Sequence, residues 1–266
     1  MKDKYNRSIT YLRISVTDRC NLRCRYCMPE EGVQMLSHNQ ILTFEEILEV
    51  AKTAVSLGVT KIRVTGGEPL VRKGIVNLIQ LLSQIEGLQD LSMTTNGILL
   101  KEFALSLKQA GLQRVNISLD TLDPVKFSHL TRGGNLSDVL EGIDAAIDAG
   151  LTPIKINCVI NESADTPDAL SVSEFADSKG IQVRYIKQMN LKTGSFSVVQ
   201  GGSGGKCSAC NRLRLTANGK IKPCLFNDLE YDVRELGAVE AINRAVTNKP
   251  SKGSHNHSGQ FYNIGG

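Results

Sequence analysis

Residues 17–30 read Thr-Asp-Arg-Cys-Asn-Leu-Arg-Cys-Arg-Tyr-Cys-Met-Pro-Glu, and this stretch decides how the rest of the chain is interpreted. Its cysteines, Cys20, Cys24 and Cys27, have C-x3-C-x2-C spacing and directly follow a short apolar run that predicts a β-strand. Three thiolates held so close repel one another unless a soft cation shares their charge, which favours a thiolate-ligated metal site. A 4Fe-4S cluster normally takes four cysteines, so three would leave one iron open to another ligand.

Zinc and inert buried thiols are the alternatives at this loop. Zinc needs a fourth ligand. The four histidines of the chain lie far from the loop in sequence, at positions 38, 129, 255 and 257. The sequence therefore favours an iron-sulfur cluster here.

A second cysteine triplet lies near the end of the chain, where Cys207, Cys210 and Cys224 have C-x2-C-x13-C spacing. Zinc is a more serious alternative at this site, because C-x2-C pairs often bind it, but the missing fourth ligand again favours a cluster with one open iron. Between these ligands, Arg212 and Arg214 point to the same side if the segment is extended. Paired guanidiniums suit a phosphate, although two solvated surface arginines are the ordinary alternative.

Between Tyr11 and Met189, short apolar runs alternate with longer segments of helical periodicity, which predicts repeated βα units. The first helix carries an apolar stripe from Phe44 to Val55, with Thr43 and Glu46 placed as a capping box. An open doubly wound sheet and a partial barrel produce the same alternation, so the motifs must decide between them. The predicted strands are Tyr11–Thr17, Lys61–Thr65, Asp90–Thr94, Arg114–Ser118, Pro153–Val159 and Gln182–Gln188.

Composition indicates an ordinary globular protein. Of the 266 residues, 41% are hydrophobic and 22% are charged, and the net charge of +4 fits a solvated surface rather than a nucleic-acid stripe. The sequence has no signal-peptide pattern and no run approaching ~18 apolar residues, so we expect no membrane partner, no nucleic acid and a cytoplasmic location. Seven cysteines in such a compartment indicate metal binding rather than disulfides.

The pattern changes after Met189, and we predict two parts, a βα-repeat unit over residues 1–190 and a linker with a cluster segment over residues 191–266. The Gly/Ser-rich end of the linker indicates a flexible or anion-facing loop. The polar tail ending in Gly265 and Gly266 suggests a mobile terminus. Cys158, on the fifth predicted strand, is expected to be a core residue.

Two further motifs follow predicted strands, Gly66-Gly67-Glu68-Pro69 and Ser118-Leu119-Asp120. Each alone is typical of a turn or a helix cap. Together with the first triplet and the aromatic residue before its third cysteine, they resemble the radical S-adenosylmethionine (SAM) superfamily. The resemblance implies that the open iron chelates the amino and carboxylate groups of SAM and that one electron cleaves SAM to a 5'-deoxyadenosyl radical. Glu68 would stabilise the ammonium or orient the turn. The implied SAM contacts are Tyr26, Gly66, Gly67, Glu68, Ser118 and Met189.

With the second triplet, the Asn211–Leu215 segment and the terminal Gly-Gly, most of the chain resembles the GTP 3',8-cyclase family of molybdenum cofactor biosynthesis. The resemblance implies an α/β fold, an incomplete (β/α)6 TIM-type barrel with a C-terminal iron-sulfur cluster-binding segment, and two 4Fe-4S clusters. The radical would abstract hydrogen from C3' of GTP, whose carbon radical attacks C8. The implied catalytic residues are Cys20, Cys24, Cys27, Arg212 and Arg214, and the implied GTP contacts are Arg13, Lys61, Arg63, Thr94, Lys155, Arg184, Arg212 and Arg214.

The resemblance also implies partners: GTP as substrate, an external electron donor, a downstream cyclic pyranopterin synthase, and a homodimer as one compatible assembly. The Gly-Gly tail would reach into the active site. Family members usually carry a longer segment before the second cluster, part of the barrel's lateral wall, so we expect an altered cavity here. Two alternatives stay open: a radical SAM enzyme modifying a peptide or another small molecule, and a non-catalytic zinc- or cluster-binding interaction protein.

Overall fold

Strand order decides between the two architectures that the sequence left open. The computed structural model describes residues 1–257 and 261–264 and contains a nine-stranded sheet in the order β6-β5-β4-β3-β2-β1-β7-β8-β9. The first six strands run parallel in simple sequential order, without the reversal that a doubly wound sheet requires. The strands are β1 Tyr11–Ser15, β2 Lys61–Thr65, β3 Asp90–Thr95, β4 Arg114–Ser118, β5 Lys155–Ile160, β6 Gln182–Lys187, β7 Arg212–Leu215, β8 Lys220–Lys222 and β9 Tyr231–Asp232.

Helices connect these strands, and their ends follow local capping signals. Thr43 and Glu46 form the predicted capping box at the start of α1. One connection contains a helix that the sequence analysis did not identify, α4, which begins where Asp123 Oδ1 accepts hydrogen bonds from the amides of Val125 and Lys126. The helices are α1 Phe44–Ser56, α2 Ile75–Ser83, α3 Leu100–Gln109, α4 Pro124–Thr131, α5 Leu136–Asp148, α6 Pro167–Ser178, α7 Val233–Leu236, α8 Ala238–Thr247 and α9 Phe261–Ile264.

The two faces of the sheet differ in chemistry. Ile14, Val64 and Ile117 are fully buried in the hydrophobic core. Alternate positions carry polar side chains, and strand register aligns them into a row across five neighbouring strands, because residues paired in register point to the same face. We call this the arginine row: Arg214, Arg13, Arg63, Ser92 and Arg114.

The C-terminal part of the chain extends the same sheet. Strand β7 pairs parallel with β1, placing Arg214 opposite Arg13, and β8 and β9 follow antiparallel. The linker from β6 to β7 runs beside the other end of the sheet, where isolated bridges join Gln200 to Tyr185 and Ser195 to Asn190. The sheet is therefore a partial barrel that does not close, and one continuous sheet spans the predicted boundary at residue 190. No helix among the described residues has both the length and the apolar character that a membrane span requires.

Candidate active site

The first cysteine loop is held by the backbone of the Gly66-Gly67-Glu68 turn. The amide of Gly67 donates to the carbonyl of Thr17 (2.7 Å), and the amide of Glu68 donates to the carbonyl of Arg19 (2.8 Å). A Cβ atom at Gly67 would lie 2.3 Å from the carbonyl oxygen of Arg19, and one at Gly66 would lie 2.8 Å from that of Thr17. Both glycines are required because the cysteine loop approaches too closely for any side chain.

Glu68 lies behind this turn and does not line a cavity. Its carboxylate accepts hydrogen bonds from the amide of Leu70 (3.0 Å), the hydroxyl of Thr95 (2.8 Å) and the amide of Asn96 (2.7 Å), and only 1% of the residue is exposed. Burial raises the pKa of Glu68 to about 7. Of the two roles expected for this carboxyl group, the geometry fits orientation of the turn and not contact with an ammonium group.

The three thiols of the first loop are partly buried near carboxyl groups. Burial, together with neighbouring negative charge, raises the pKa of Cys20 to about 11 and that of Cys24 to about 12, and it also raises the pKa of Cys27. Free thiolates are therefore unfavourable at this loop. A bound cationic cluster would supply the positive charge that three thiolates need, so the donor set fits such a group.

Tyr26 is fixed by a hydrogen bond to Asp120. Its hydroxyl donates to Asp120 Oδ2 (2.9 Å), while Asp120 Oδ1 accepts a hydrogen bond from the amide of Val159 (2.8 Å). Burial raises the pKa of Asp120 to about 6. The Ser118-Leu119-Asp120 motif therefore connects the cysteine loop to β5.

A cavity of about 200 Å³ opens over the first cysteine loop. The three cysteines, both glycines of the turn and Ser118 line it, so the structure brings these predicted site residues together. Thr94, predicted as a GTP contact, lines this cavity instead of the neighbouring one, because it lies at the carboxyl end of β3. Tyr262, from the C-terminal tail, closes part of the same cavity and was not predicted.

A second cavity of about 330 Å³ lies against the arginine row. Asn157, Ile186 and Met189 line both cavities, so the two adjoin along a shared wall. Its cationic lining residues are Arg13, Lys61, Arg63, Arg114, Arg184, Lys206, Arg212 and Arg214. Among the described residues that line it, Asp90 is the only acid, and it pairs with Arg114 through two hydrogen bonds of 3.1 and 2.7 Å.

Positive charge is concentrated in this second cavity, where one acid lies among eight cationic side chains of the described part of the chain. Arg13, Arg63 and Arg214 are each 8% exposed or less. Burial and neighbouring arginines lower the pKa of Arg13 and lower that of Arg214 to about 10. Burial raises the pKa of Tyr11, but the arginines around its ring outweigh this effect and the pKa is lowered. Such crowding of buried cations is unfavourable unless an anion occupies the cavity.

Polar atoms in this cavity also lack partners. Within the described part of the chain, Tyr11 Oη, Arg184 Nε and Arg212 Nε are buried without a hydrogen-bond partner. Asn116 lies beneath them, and its amide, oriented with the oxygen toward the guanidiniums, accepts from Arg63 Nη1 (3.0 Å) and Arg184 Nη1 (3.3 Å). The atoms without partners on Tyr11, Arg184 and Arg212 are therefore available to a ligand that brings several acceptor oxygens.

The predicted basic residues divide between the cavity and its surroundings. Lys61 lines the cavity although it is exposed. Lys155 is not among the lining residues, because it lies at the start of β5, partly exposed beside Arg184 and Arg114. Arg114 lines the cavity but was missed. Its position at the start of a predicted strand, like that of Lys61, was the available signal.

The second cysteine triplet lies in the same cavity as the arginine row. Cys207 begins the short 3-10 turn Cys207–Ala209, Cys210 follows it two residues before Arg212 at the start of β7, and Cys224 follows β8. The linker covers this region: Phe196 stacks on Phe226 with ring centroids 4.4 Å apart, and both rings line the cavity. The short linker therefore still supplies a wall.

The C-terminal tail packs against these elements. Ile264 is fully buried with Leu191, Leu225 and Phe226, which differs from the mobile terminus suggested by the sequence. Gly265 and Gly266 lie outside the described residues. A separate exposed group of potential metal ligands, Asp228, His255 and His257, has ligand atoms within 4.8 Å of one another.

Comparisons with known proteins agree with this geometry. The Radical SAM superfamily model matches residues 14–163, and the Molybdenum Cofactor Synthesis C model matches residues 166–257. Among solved structures, native anSMEcpe with bound AdoMet superposes with a TM-score of 0.64 at 15% identity, covering 90% of this chain and 81% of that chain. Methylornithine synthase (PylB) gives a TM-score of 0.56 at 18% identity, covering 95% of this chain and 76% of that chain. The fold and the cysteine loop define a radical SAM enzyme.

Curated relatives identify the family within this class of enzymes to which the chain belongs. A GTP 3',8-cyclase from Thermodesulfovibrio yellowstonii is 44% identical over 89% of this chain and 88% of its own length, and one from Peptoclostridium acidaminophilum is 47% identical over 87% and 85%. This chain belongs to the GTP 3',8-cyclase family. Alignment with the relative from Alkaliphilus oremlandii spans 302 positions, more than the 266 residues present here, so that relative carries residues without a counterpart in this chain.

Proposed function

We propose that this chain converts GTP to (8S)-3',8-cyclo-7,8-dihydroguanosine 5'-triphosphate in molybdenum cofactor biosynthesis. The observation that carries the proposal is the pair of adjoining cavities, one lined by the first cysteine triplet and the glycine turn, the other by the second triplet and the arginine row. Asn157, Ile186 and Met189 form the wall between them, so a group generated in one cavity is next to a substrate held in the other.

We infer that Cys20, Cys24 and Cys27 hold one 4Fe-4S cluster and that Cys207, Cys210 and Cys224 hold a second. A cluster held by the first three cysteines would supply the one electron needed for reductive cleavage of SAM to methionine and a 5'-deoxyadenosyl radical. Tyr26, Gly66, Gly67, Ser118 and Met189 line the first cavity and would position SAM beside it. Glu68 and Asp120 act from behind by fixing the turn and Tyr26.

The second cavity would hold GTP through its charge. A triphosphate carries about four negative charges and many acceptor oxygens, which match the crowded guanidiniums and the buried nitrogen atoms without partners. Arg13, Arg63, Arg184, Arg212 and Arg214 would bind and orient the substrate, with Lys61 at the rim. Thr94 would contribute from the wall of the first cavity, and Lys155 through its charge from outside.

We further propose an external electron donor, a downstream enzyme and a contribution from both predicted parts of the chain. An external one-electron donor would reduce the first cluster, and a cyclic pyranopterin synthase would take the product. The substrate cavity would need both predicted parts of the chain, because β1 of residues 1–190 supplies Arg13 and β7 of residues 191–266 supplies Arg212 and Arg214.

Metal analysis and product analysis of the anaerobically reconstituted protein test the proposal. We expect about eight irons per chain, four for each cluster. With reductant, SAM and GTP, the protein should yield 5'-deoxyadenosine together with cyclised GTP in equal amounts. Deoxyadenosine without consumption of GTP would overturn the substrate, and stoichiometric zinc in place of iron would overturn the clusters.

Two variants sharpen these measurements. Arg212→Ala combined with Arg214→Ala should weaken GTP binding while SAM still binds, because these arginines line only the second cavity. His257→Ala removes one member of the exposed Asp228, His255 and His257 group. Zinc that binds the unaltered chain but not this variant lies outside the cysteine sites, so its presence does not contradict the proposed iron-sulfur clusters.

A further inference from the structure

Lys249 is a buried cation at the second cysteine triplet. It follows α8, and only 1% of the residue is exposed. Its Nζ donates to the carbonyl of Arg212 (2.7 Å) and to that of Pro223 (2.5 Å). Arg212 lies two residues after Cys210, and Pro223 lies immediately before Cys224. Lys249 therefore ties together the two separate segments that carry the cysteines.

The burial of this ammonium group requires an anion nearby. A lysine is almost never fully buried unless its charge is paired. Among the described residues, the ion pairs of the structure do not include Lys249, and its hydrogen-bond acceptors are neutral carbonyls. Burial lowers the pKa of Lys249, and the groups that oppose this shift by attracting its charge are the thiols of Cys210 and Cys224.

The pKa of the Cys210 thiol responds to the charge of Lys249. Burial raises the pKa of Cys210, but the charges of Lys249 and Arg212 and hydrogen bonds to the sulfur outweigh it, and the pKa is lowered. At the first loop, burial and the nearby carboxyl groups of Glu68 and Asp120 act in the same direction and raise the pKa of the thiols. Burial raises the pKa of Cys224 despite the charges of Lys249 and Arg214, so within the second triplet it is Cys210 whose surroundings contrast with those of the first loop.

We propose that Lys249 is a positioning residue for the second cluster that holds a positive charge beside it and raises its reduction potential. The inference rests on the proposed function, because it requires a cluster at Cys207, Cys210 and Cys224. Reduction of this cluster adds one electron from the external donor and moves no proton, so the reduced form carries one more negative charge. A fixed cation stabilises that form more than the oxidised form.

The chain contains a matched control in Arg7. This buried guanidinium donates to the carbonyl of Cys207 (2.8 Å) and to those of Pro250 (2.7 Å) and Ser251 (3.0 Å), so it also holds the cluster segment in place. Its charge is compensated by Asp3, whose carboxylate lies 2.6 Å from Arg7 Nε. Removing the pair changes the support of the segment while changing its net charge little.

Redox titration followed by electron paramagnetic resonance tests the proposal in the full chain, with Cys20, Cys24 and Cys27 replaced by Ala so that only the second cluster is observed. Lys249→Gln retains hydrogen-bond donors but removes the charge. We expect the ratio of reduced to oxidised cluster at a fixed potential to fall about tenfold, equivalent to about 59 mV for one electron. Lys249→Arg should retain the original potential.

The Arg7 control distinguishes an effect of the Lys249 charge on the reduction potential from loss of structural support for the cysteine segment. Asp3→Asn combined with Arg7→Gln should lower the thermal unfolding midpoint and leave the potential unchanged. An unchanged potential in Lys249→Gln, or an equal shift in the Arg7 control, would overturn the proposal. If Lys249→Gln does not retain iron, retention by Lys249→Arg supports the requirement for charge, and loss in both variants contradicts it. Absence of any cluster signal before Lys249 is changed would instead refute the proposed function.

Discussion

Replacement of Gly67 by Ala tests how the cysteine loop is held. The new Cβ would lie 2.3 Å from the carbonyl oxygen and 2.6 Å from the carbonyl carbon of Arg19. Because carbon atoms prefer contacts of roughly 3.5–4.0 Å, the loop must move by more than about 1 Å. That movement breaks the hydrogen bonds from Gly67 to Thr17 and from Glu68 to Arg19, which measure 2.7 and 2.8 Å.

The expected free-energy cost follows from these contacts. Two backbone hydrogen bonds contribute about 1 kcal/mol each, and overpacking adds about 1–3 kcal/mol. We therefore expect Gly67→Ala to lower the free energy of unfolding by about 3–5 kcal/mol, and the unfolding midpoint by roughly 10 °C for a chain of this size. The displaced loop should also retain fewer than four irons at the first site.

Gly180 provides the matched control, because its φ of +66° strains an alanine while nothing lies within 4 Å of the added Cβ. Gly180→Ala should cost only about 1–2 kcal/mol. Urea unfolding of the metal-free chains and iron analysis after reconstitution measure both effects. Equal destabilisation by the two variants, or full iron content in Gly67→Ala, would refute the steric reasoning.

Substrate charge, tail packing and a buried carboxyl group give three further predictions. Arg184→Gln should weaken GTP binding about tenfold in calorimetry, since a charge-assisted hydrogen bond contributes about 1.5–3 kcal/mol. Replacement of the exposed Lys101 by Gln should leave GTP affinity unchanged, and an equal loss of affinity in both variants would contradict this prediction. Ile264→Ala should destabilise packing of the tail by about 2–4 kcal/mol and speed its proteolysis; an unchanged cleavage rate would count against it. Because burial raises the pKa of Glu68 to about 7 from 4.5, the folded chain binds a proton that the unfolded chain releases. Stability should therefore fall as pH rises between these values, and urea titrations of Glu68→Gln should show a flatter slope; an unaltered slope would argue against a neutral Glu68.

Local patterns predicted the strands well because each βα unit carries its own periodicity and stop signals. The six predicted strands overlap β1 to β6, and the predicted capping box of Thr43 and Glu46 begins α1. Periodicity did not separate a partial barrel from an open sheet, since that difference depends on strand order. The motifs and the family resemblance supplied the answer, which the order of the sheet confirms.

The residues of the candidate site were predicted less completely than the strands. The need for glycine at positions 66 and 67 follows from sequence, and the structure shows the close backbone approach directly. The side on which Thr94 lies depends on where β3 ends, and the pairing of Arg114 with Asp90 depends on register between strands. Neither leaves a local signature. The burial of Lys249 was not anticipated either, because a lysine beside a proline in a polar tail normally indicates solvent exposure.

The pairing of β7 with β1 has a consequence for the order of events during synthesis. Tyr11 is aligned with Arg212, so two central neighbours of the sheet are separated by most of the chain. A growing polypeptide can form β1 to β6 as soon as they emerge, but one edge of β1 stays open until β7 is made. Contacts so distant in sequence form slowly, and an exposed strand edge is prone to pairing with other chains. Arg13 on β1 lies at that edge, so the substrate cavity is incomplete until β7 pairs with β1, and the nascent chain is most prone to aggregation just before that point.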